Sequence, residues 1–105
     1  MCGIFGVFAN AVDSSVFRAL GEQNTARGNR AFGVLTFDGA GCTVTRRVGP
    51  FHANLINVDR MRAVLGHVRA PTDGRADDPT AVHPFETRDL YLAHNGLLLN
   101  DADFA

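Results

Sequence analysis

A cysteine directly behind the initiator methionine is the first residue of this 105-residue chain that could carry chemistry. Removal of Met1, which is usual before so small a residue, would leave Cys2 with both a thiol and a free α-amine. An α-amine has a pKa of ~7.7–8 and a lysine amine a pKa of ~10.4, so the α-amine is the better base at neutral pH. Cys2 could therefore activate its own thiol, directly or through one water. The alternative is a small apolar residue in a buried strand, where free cysteine usually lies.

A second candidate is the segment GHVRAPTDG, residues 66–74. If the segment begins as a strand, His67 and Arg69 share one face, and Arg69 lies where the strand ends before Pro71. An arginine at that position offers a planar fork to a carboxylate, which a lysine would match less well. The alternative is a solvated or salt-bridged arginine at a strand end.

A third candidate is LAHNGLLLN, residues 92–100, in which an Asn-Gly pair follows an apolar run. Asn95 has a side-chain amide N–H and Gly96 a backbone N–H, and both could point at a developing oxyanion. One such donor typically lowers a barrier by ~2.7–4 kcal/mol. The alternative is that the pair forms a simple turn.

A metal site is the other chemistry to consider, because the chain has four histidines and two cysteines. Zinc sites usually show paired ligands at short spacing, such as CxxC or HxxxH, and neither pattern is present. We therefore expect no metal and no other cofactor.

Composition narrows the class of protein. The formal net charge is −1, no apolar run reaches the ~18 residues that span a bilayer, and no Arg-rich block is present. The apolar start lacks the positively charged region of a signal peptide. Cys2 and Cys42 are accordingly interpreted as reduced thiols. We expect a cytoplasmic domain whose partners are small molecules or proteins, not nucleic acid or membrane.

The elements that would position these residues begin with a strand at Gly3–Phe8. It is apolar on both faces, which predicts a central strand. A helix should follow, with Asp13 as its N-cap, a hydrophobic staple of Val12 and Phe17, and Gly28 at its end. The inward stripe of this helix is predicted to be Val16, Phe17 and Leu20.

The rest of the chain is dominated by strands. AFGVLTFDGAGCTVTRRV predicts two strands around a turn at Asp38–Gly41, and RAVLGHVRA predicts another strand. FHANLINVDRM is predicted as a loop with a short helical turn, PTDGRADDPTAVHPFETRD as a polar loop, LYLAHNG as a last strand and NDADFA as the start of a helix. This inventory indicates an α+β fold. One helix cannot cover every apolar strand face, so we expect a larger domain or a partner chain to complete the cover.

Taken together, these segments resemble the class II glutamine amidotransferases, the N-terminal-nucleophile hydrolases found in glutamine phosphoribosylpyrophosphate amidotransferase, glucosamine-6-phosphate synthase and asparagine synthetase. MCGIFGVF resembles the family's nucleophile strand, and RGNRAFG at 27–33 its Arg-Gly-x-Asp-x-x-Gly motif. GHVRAPTDG, HPF at 83–85 and LAHNGLLLN resemble its later blocks. All five follow the family's order over nearly the whole chain.

The resemblance implies a role for each matching residue. Cys2 would be the nucleophile with its α-amine as base, and Asn95 and the Gly96 backbone would be the oxyanion donors. Arg69 would hold the α-carboxylate of glutamine, helped by Thr72 and Asp73. In the same way, Arg27 and Gly28 would support the substrate-binding site.

The implied reaction is hydrolysis of the glutamine side-chain amide through a γ-glutamyl thioester, with ammonia passed to an acceptor domain or subunit. The implied fold is the αββα sandwich, with residues 1–105 as the first half of a domain that continues past the Asn-Gly block. One departure is that Arg30 stands where the motif has aspartate. A second interpretation is a catalytically silent remnant of the same fold that serves as an assembly module.

Overall fold

The computed structural model of the chain describes residues 2–70, 84–86 and 91–93. Its elements are strand β1 (Gly3–Phe8), helix α1 (Ser14–Asn24), strands β2 (Ala31–Phe37), β3 (Cys42–Val48) and β4 (Ala63–Arg69), and the short strands β5 (Phe85–Glu86) and β6 (Tyr91–Leu92). Single 3₁₀ turns cover Thr25–Arg27 and Ala53–Leu55. The predicted α+β class is confirmed, and so is the helical turn predicted in the segment that follows β3.

The main sheet has four antiparallel strands in the order β1-β4-β2-β3, so β1 lies at an edge. Among the residues that the structure describes, β1 is thus an edge strand and not the central strand that was predicted. Its alternate residues Ile4 and Phe8 are apolar, but their side chains are 41% and 87% exposed. Apolar residues on both sides of a strand predict cover on both sides, but one side of β1 is only partly covered.

One face of the sheet packs against α1 and is called the helix face. It carries the buried side chains of Phe5, Phe32, Val34, Val64 and Val68. Phe51, from the segment after β3, makes edge-to-face contacts with three other rings, with centroid distances of 5.6 Å to Phe5, 5.6 Å to Phe17 and 5.3 Å to Phe32. These aromatic contacts form the centre of the core.

The opposite face is called the site face. It carries the alternate residues of the same strands, namely Ile4, Phe8, Leu65, His67 and Arg69 with Ala31 and Gly33 from β2. His67 and Arg69 share this face as the sequence predicted. Beyond β2, Arg46 of β3 donates from Nη2 to the carbonyl of the buried Pro84 at 2.6 Å, which ties the β5 segment to the sheet. The β5 strand lies within a stretch that was predicted to be loop throughout.

Helix α1 begins where the sequence predicted. Asp13 is the N-cap and accepts hydrogen bonds from the Ser15 backbone N–H at 2.8 Å and the Ser15 hydroxyl at 2.6 Å. These bonds hold the pKa of the Asp13 carboxyl below its usual value. The predicted inward stripe is wrong at Val16, which is 45% exposed. Phe17 and Gly21 are the buried residues of the helix, because the stripe turns toward Phe51.

The β2–β3 hairpin also forms where predicted. Asp38 N–H donates to the Gly41 carbonyl at 3.2 Å, and the Asp38 carboxylate accepts from the backbone N–H groups of Ala40 and Gly41 at 2.8 and 2.9 Å. These backbone donors lower the pKa of Asp38. Gly39 has a φ of 97°, a conformation that favours glycine.

The remaining predictions fall mainly on the end of the chain. Of the predicted last strand, Tyr91–Leu92 is observed as β6, paired with β5. The helix predicted at NDADFA lies outside the described residues. Within the part of the chain that the structure describes, no helix is long and apolar enough to cross a membrane.

Candidate active site

Cys2 directly precedes β1 and is only 8% exposed. Its thiol lies 3.8 Å from the backbone carbonyl oxygen of Ala70, within hydrogen-bonding distance for sulfur. Ala70 directly follows Arg69 at the end of β4, because β1 and β4 are antiparallel with Gly3 opposite Val68. The sheet register therefore brings the candidate nucleophile to the residue next to the candidate carboxylate-binding arginine.

Arg27 makes a second contact with Cys2. Its Nε–H donates to the Cys2 backbone carbonyl at 3.0 Å. Arg27 is the last residue of the 3₁₀ turn Thr25–Arg27, which continues α1 toward β2, and the N–H of Gly28 closes that turn on the Thr25 carbonyl at 3.2 Å. The sequence predicted that Gly28 ends the helix. It ends the 3₁₀ turn, whereas α1 itself ends at Asn24.

Gly28 is a point of close backbone approach. A Cβ atom at this position would lie 2.5 Å from the carbonyl carbon of Arg69, 2.6 Å from the nitrogen of Ala70 and 2.7 Å from the carbonyl oxygen of Arg69. These are main-chain atoms of a sheet strand, so they cannot move aside as a flexible side chain could. Only glycine lets the chain pass here with β4 in its observed place.

Arg69 is 6% exposed and His67, two residues earlier on the same face, is 1% exposed. The Arg69 carbonyl accepts a hydrogen bond from the Arg30 backbone N–H at 3.1 Å. Arg30, which stands where the family motif has aspartate, thus supports the strand through its main chain. Its side chain is exposed.

The formal charge of residues 2–70 is positive. Residues 2–70 contain eight arginines and four acidic residues. Two of the acidic residues are occupied elsewhere, because Asp13 caps α1 and Asp38 closes the hairpin turn. A third, Glu22, lies 3.7 Å from Arg18. Of the arginines in this part of the chain, Arg27 contacts the Cys2 backbone and Arg69 directly precedes the residue that the Cys2 thiol contacts.

Gly3 contributes to the packing around Cys2, a role that was not predicted from the sequence. A Cβ atom there would lie 3.0 Å from Cγ2 of Val68 and 3.1 Å from Cγ of Asn24. Asn24, the last residue of α1, donates from its side-chain amide to the Leu20 carbonyl at 2.8 Å. The glycine lets the end of α1 pack directly beside β1, the strand that follows the candidate nucleophile. The Cys-Gly pair at the start of the chain was the available signal.

The structure therefore brings together four of the predicted site residues, Cys2, Arg27, Gly28 and Arg69. The other four, Thr72, Asp73, Asn95 and Gly96, lie outside the described residues. Cys2 and Cys42 are both free thiols, the first buried and the second exposed. In the described residues no three His, Cys, Asp or Glu side chains come together as a metal site would require.

Two cavities lie elsewhere, on the α1 side of the molecule, with volumes of about 310 and 380 Å³. Both border the helical turn at Ala53–Leu55, and both are lined by Arg18 and Asn54, which hydrogen-bond to each other at 2.8 Å. Neither cavity is lined by Cys2, Arg27 or Arg69. They are not part of the site described above.

Comparison with known proteins identifies a relative of the chain. It is 33% identical over 109 aligned residues to the amidophosphoribosyltransferase of Escherichia coli, a match that covers 95% of this chain and 21% of that protein. The chain thus spans about a fifth of the length of that relative. No protein-family model matches the chain, and no solved structure matches it. The match agrees with the resemblance drawn from the motifs, because the chain is similar to an amidophosphoribosyltransferase over nearly its whole length.

Proposed function

We propose that the chain carries the glutamine-hydrolysing site of an amidotransferase, with Cys2 as the nucleophile once Met1 is removed. The observation that carries this proposal is the position of Cys2, whose thiol lies 3.8 Å from the carbonyl of Ala70, next to Arg69. A thiol beside a buried arginine can receive a substrate that has a carboxylate at one end and a reactive carbonyl at the other. Glutamine is such a molecule.

In the proposed reaction the Cys2 sulfur attacks the side-chain amide carbon of glutamine, and the thiol proton passes to the α-amine. The tetrahedral intermediate places negative charge on the former amide oxygen, where the N–H groups of Asn95 and Gly96 would stabilise it. The protonated α-amine then gives its proton to the departing nitrogen, which leaves as ammonia. Water hydrolyses the remaining thioester to glutamate and restores the thiol.

The other residues are proposed to hold the substrate. Arg69 would bind the α-carboxylate, with Thr72 and Asp73 beside it, and the positive charge of Arg27 and Arg30 would favour the approach of the anionic end. The ammonia would pass to an acceptor-binding domain or subunit. No cofactor has a step in this reaction.

The proposed architecture is the αββα sandwich of the N-terminal-nucleophile hydrolases. In it the observed four-stranded sheet is one inner layer, α1 belongs to the outer layer on the helix face, and a second sheet covers the site face. Exposed Ile4, Phe8 and Val48 on the site face support such cover. A second sheet could come from the continuing polypeptide, from self-association or from a partner chain.

The direct test uses a glutamine analogue with an electrophilic diazoketone in place of the amide, applied to the chain after Met1 removal. Mass spectrometry should find one adduct on Cys2 and none on Cys42, which is the exposed reference thiol in the same molecule. The Cys2→Ser variant and the chain that retains Met1 should remain unlabelled. A folded chain with a free Cys2 amine and no adduct would overturn the proposal.

The second candidate function, an assembly module without catalysis, is favoured by one observation. Phe8 is 87% exposed and Ile4 is 41% exposed on the same strand face, as expected of a surface that binds another protein. Under this candidate the analogue leaves Cys2 unmodified, while Phe8→Ser reduces association measured by analytical ultracentrifugation. Labelling of Cys2 would exclude the silent module.

A further inference from the structure

A single short segment, Arg27–Arg30, contacts both ends of the candidate site. Arg27 donates through Nε to the backbone carbonyl of Cys2 at 3.0 Å. Gly28 passes against the Arg69–Ala70 backbone so closely that its Cβ would lie 2.5 Å from the nearest atom. The Arg30 N–H donates to the Arg69 carbonyl at 3.1 Å. With the Cys2 thiol on the Ala70 carbonyl, three separate stretches of chain meet around one point.

We propose that this segment, called the 27–30 clamp, sets the position of the nucleophile relative to the carboxylate-binding arginine. Within the clamp, Arg27 is a positioning residue that acts through Cys2, and Gly28 is a positioning residue that acts through the backbone of Arg69. This assignment of separate roles to Arg27 and Gly28 rests on the proposed function. It is more specific than the role that the resemblance implied for both residues, which was support of the substrate-binding site.

The chemistry of Arg27 suits the task. The Nε–H of a guanidinium lies in a rigid plane, so one hydrogen bond to the Cys2 carbonyl fixes both the distance and the direction of the chain end. After removal of Met1, Cys2 would have only one peptide neighbour, so a side-chain bond to its carbonyl adds a constraint that the chain itself no longer supplies. Lysine could supply the positive charge but not the planar donor. The contact therefore predicts that arginine and lysine are not interchangeable at position 27.

The constraint at Gly28 acts on the other partner. Any side chain there meets main-chain atoms of Arg69 and Ala70, and the Arg30 N–H bond holds the same peptide. A substitution must therefore move either the 27–30 segment or the end of β4. We expect the end of β4 to move, which displaces the Arg69 guanidinium and changes the weak contact of the Cys2 thiol with Ala70, while the stronger bond from Arg27 to the Cys2 carbonyl is kept.

The kinetics of Cys2 labelling by the diazoketone analogue can distinguish the role of Arg27 from that of Gly28. Arg27→Met and Arg27→Lys should lower the maximal labelling rate by about 10–100-fold and leave the half-saturating analogue concentration within about 2-fold, because a shift of ~1 Å in a reacting group costs up to ~100-fold. Gly28→Ala should instead raise the half-saturating concentration by about 10-fold, since it weakens carboxylate binding. Methylguanidinium added to Arg27→Ala should restore part of the lost rate.

Matched controls come from the same chain. Arg18→Met removes an exposed arginine whose Nη2 bonds Asn54, and Gly41→Ala adds a methyl group where no atom lies within 4 Å. Both should label like the unmodified chain. Circular dichroism and the melting temperature identify any variant that has lost its fold. If Arg27→Met is unfolded, Arg27→Lys and the rescue of Arg27→Ala by methylguanidinium still test the role of Arg27.

A second measurement tests the 27–30 clamp independently of the proposed function. Iodoacetamide alkylates both thiols, and the ratio of Cys2 to Cys42 modification reports how firmly Cys2 is held, because Cys2 is buried and Cys42 exposed. Arg27→Met should raise this ratio about 3–10-fold, because the hydrogen bond from residue 27 to the Cys2 carbonyl is lost. Arg18→Met should leave it unchanged.

The outcomes distinguish the two proposals. If the analogue never labels the unmodified chain but the alkylation ratio rises in Arg27→Met, the proposed function fails and the contact of Arg27 with Cys2 stands. If Arg27→Lys labels at the unmodified rate, or if Arg27→Met leaves both labelling and the alkylation ratio unchanged, the clamp is refuted. If the Arg27 and Gly28 variants changed the maximal labelling rate and the half-saturating analogue concentration equally, the separate roles of the two residues would also be refuted.

Discussion

The two faces of the main sheet are built from alternate residues of the same strands, yet they carry different properties. On the helix face, Val64 and Val68 of β4 are 1% and 0% exposed within an entirely apolar cluster. On the site face, the neighbouring positions of the same strand are His67 and Arg69. Because side chains alternate along a strand, stability and candidate chemistry are separated by a single residue step.

This separation has a practical consequence for the candidate site. The apolar cluster on the helix face holds β1, β2 and β4 in position, and through them the place of each alternate side chain on the site face. Polar groups can then lie at one end of the site face without interrupting the core. Substitutions on the helix face should therefore change the free energy of unfolding, and substitutions on the site face should change labelling of Cys2.

The largest expected effect tests the helix face at Phe51. This ring touches three other phenylalanines and is 4% exposed. Phe51→Ala should lower the free energy of unfolding by about 3–5 kcal/mol, because it removes apolar burial and leaves a cavity. Denaturant titration measures this loss. Phe8→Ala is the matched control: its ring is 87% exposed on the site face, and the expected change is within about 0.5 kcal/mol. Equal losses would contradict the assignment of the core.

A smaller but more specific effect tests the site face at Arg69. Arg69→Lys keeps the positive charge and removes the planar fork, which is worth about 1.5–3 kcal/mol in a charge-assisted pair. Labelling by the diazoketone analogue at low concentration should fall by about 10–100-fold. An analogue without the α-carboxylate should label the variant and the unmodified chain equally slowly. A similar fall with both analogues would show that Arg69 does not bind the carboxylate.

Local signals in the sequence predicted the elements well. Asp13 before an apolar stripe fixed the start of α1, and Asp38 with its glycines fixed the hairpin, because caps and turns depend on only a few neighbouring residues. The alternation in β4 correctly paired His67 with Arg69. The relative described above supports the family that the ordered motifs indicated.

Features that depend on distant packing were not predictable in this way. The edge position of β1 depends on which strands pair with it, and its apolar Phe8 gave no sign of this. Phe51 lies outside any strand or helix, so no periodicity marked it as a core residue. The bond from Arg27 to the Cys2 carbonyl joins residues 25 positions apart and forms only when the sheet is assembled. Motif matching pointed to Arg27 but not to the atom that it contacts.

The β2–β3 turn affects both faces, because it sets the register that decides which residues point to each side. Gly39 has a φ of 97°, and Gly41 lies two residues later with open space around it. Gly39→Ala should lower the free energy of unfolding by about 1–2 kcal/mol, since an L-residue with a side chain disfavours positive φ. Gly41→Ala should be near neutral. Thermal unfolding of the two variants measures the difference, and a Gly41 effect as large as the Gly39 effect would contradict the turn geometry.

The smallest expected effect concerns the N-cap of α1, the helix that covers the helix face. Hydrogen bonds from Ser15 hold the pKa of Asp13 below its ordinary value of 3.8. A carboxyl whose pKa is lower in the folded chain stabilises the fold above the unfolded pKa, and this contribution disappears as pH falls through the folded pKa. The difference in urea midpoint between the unmodified chain and Asp13→Ala should therefore be constant from pH 7 to about pH 5 and shrink below about pH 4. Asp13→Ser keeps a capping oxygen without a titrating group, so its midpoint relative to Asp13→Ala should not depend on pH. A difference between the unmodified chain and Asp13→Ala that persists unchanged at pH 2 would show that the charge of Asp13 does not contribute to the cap.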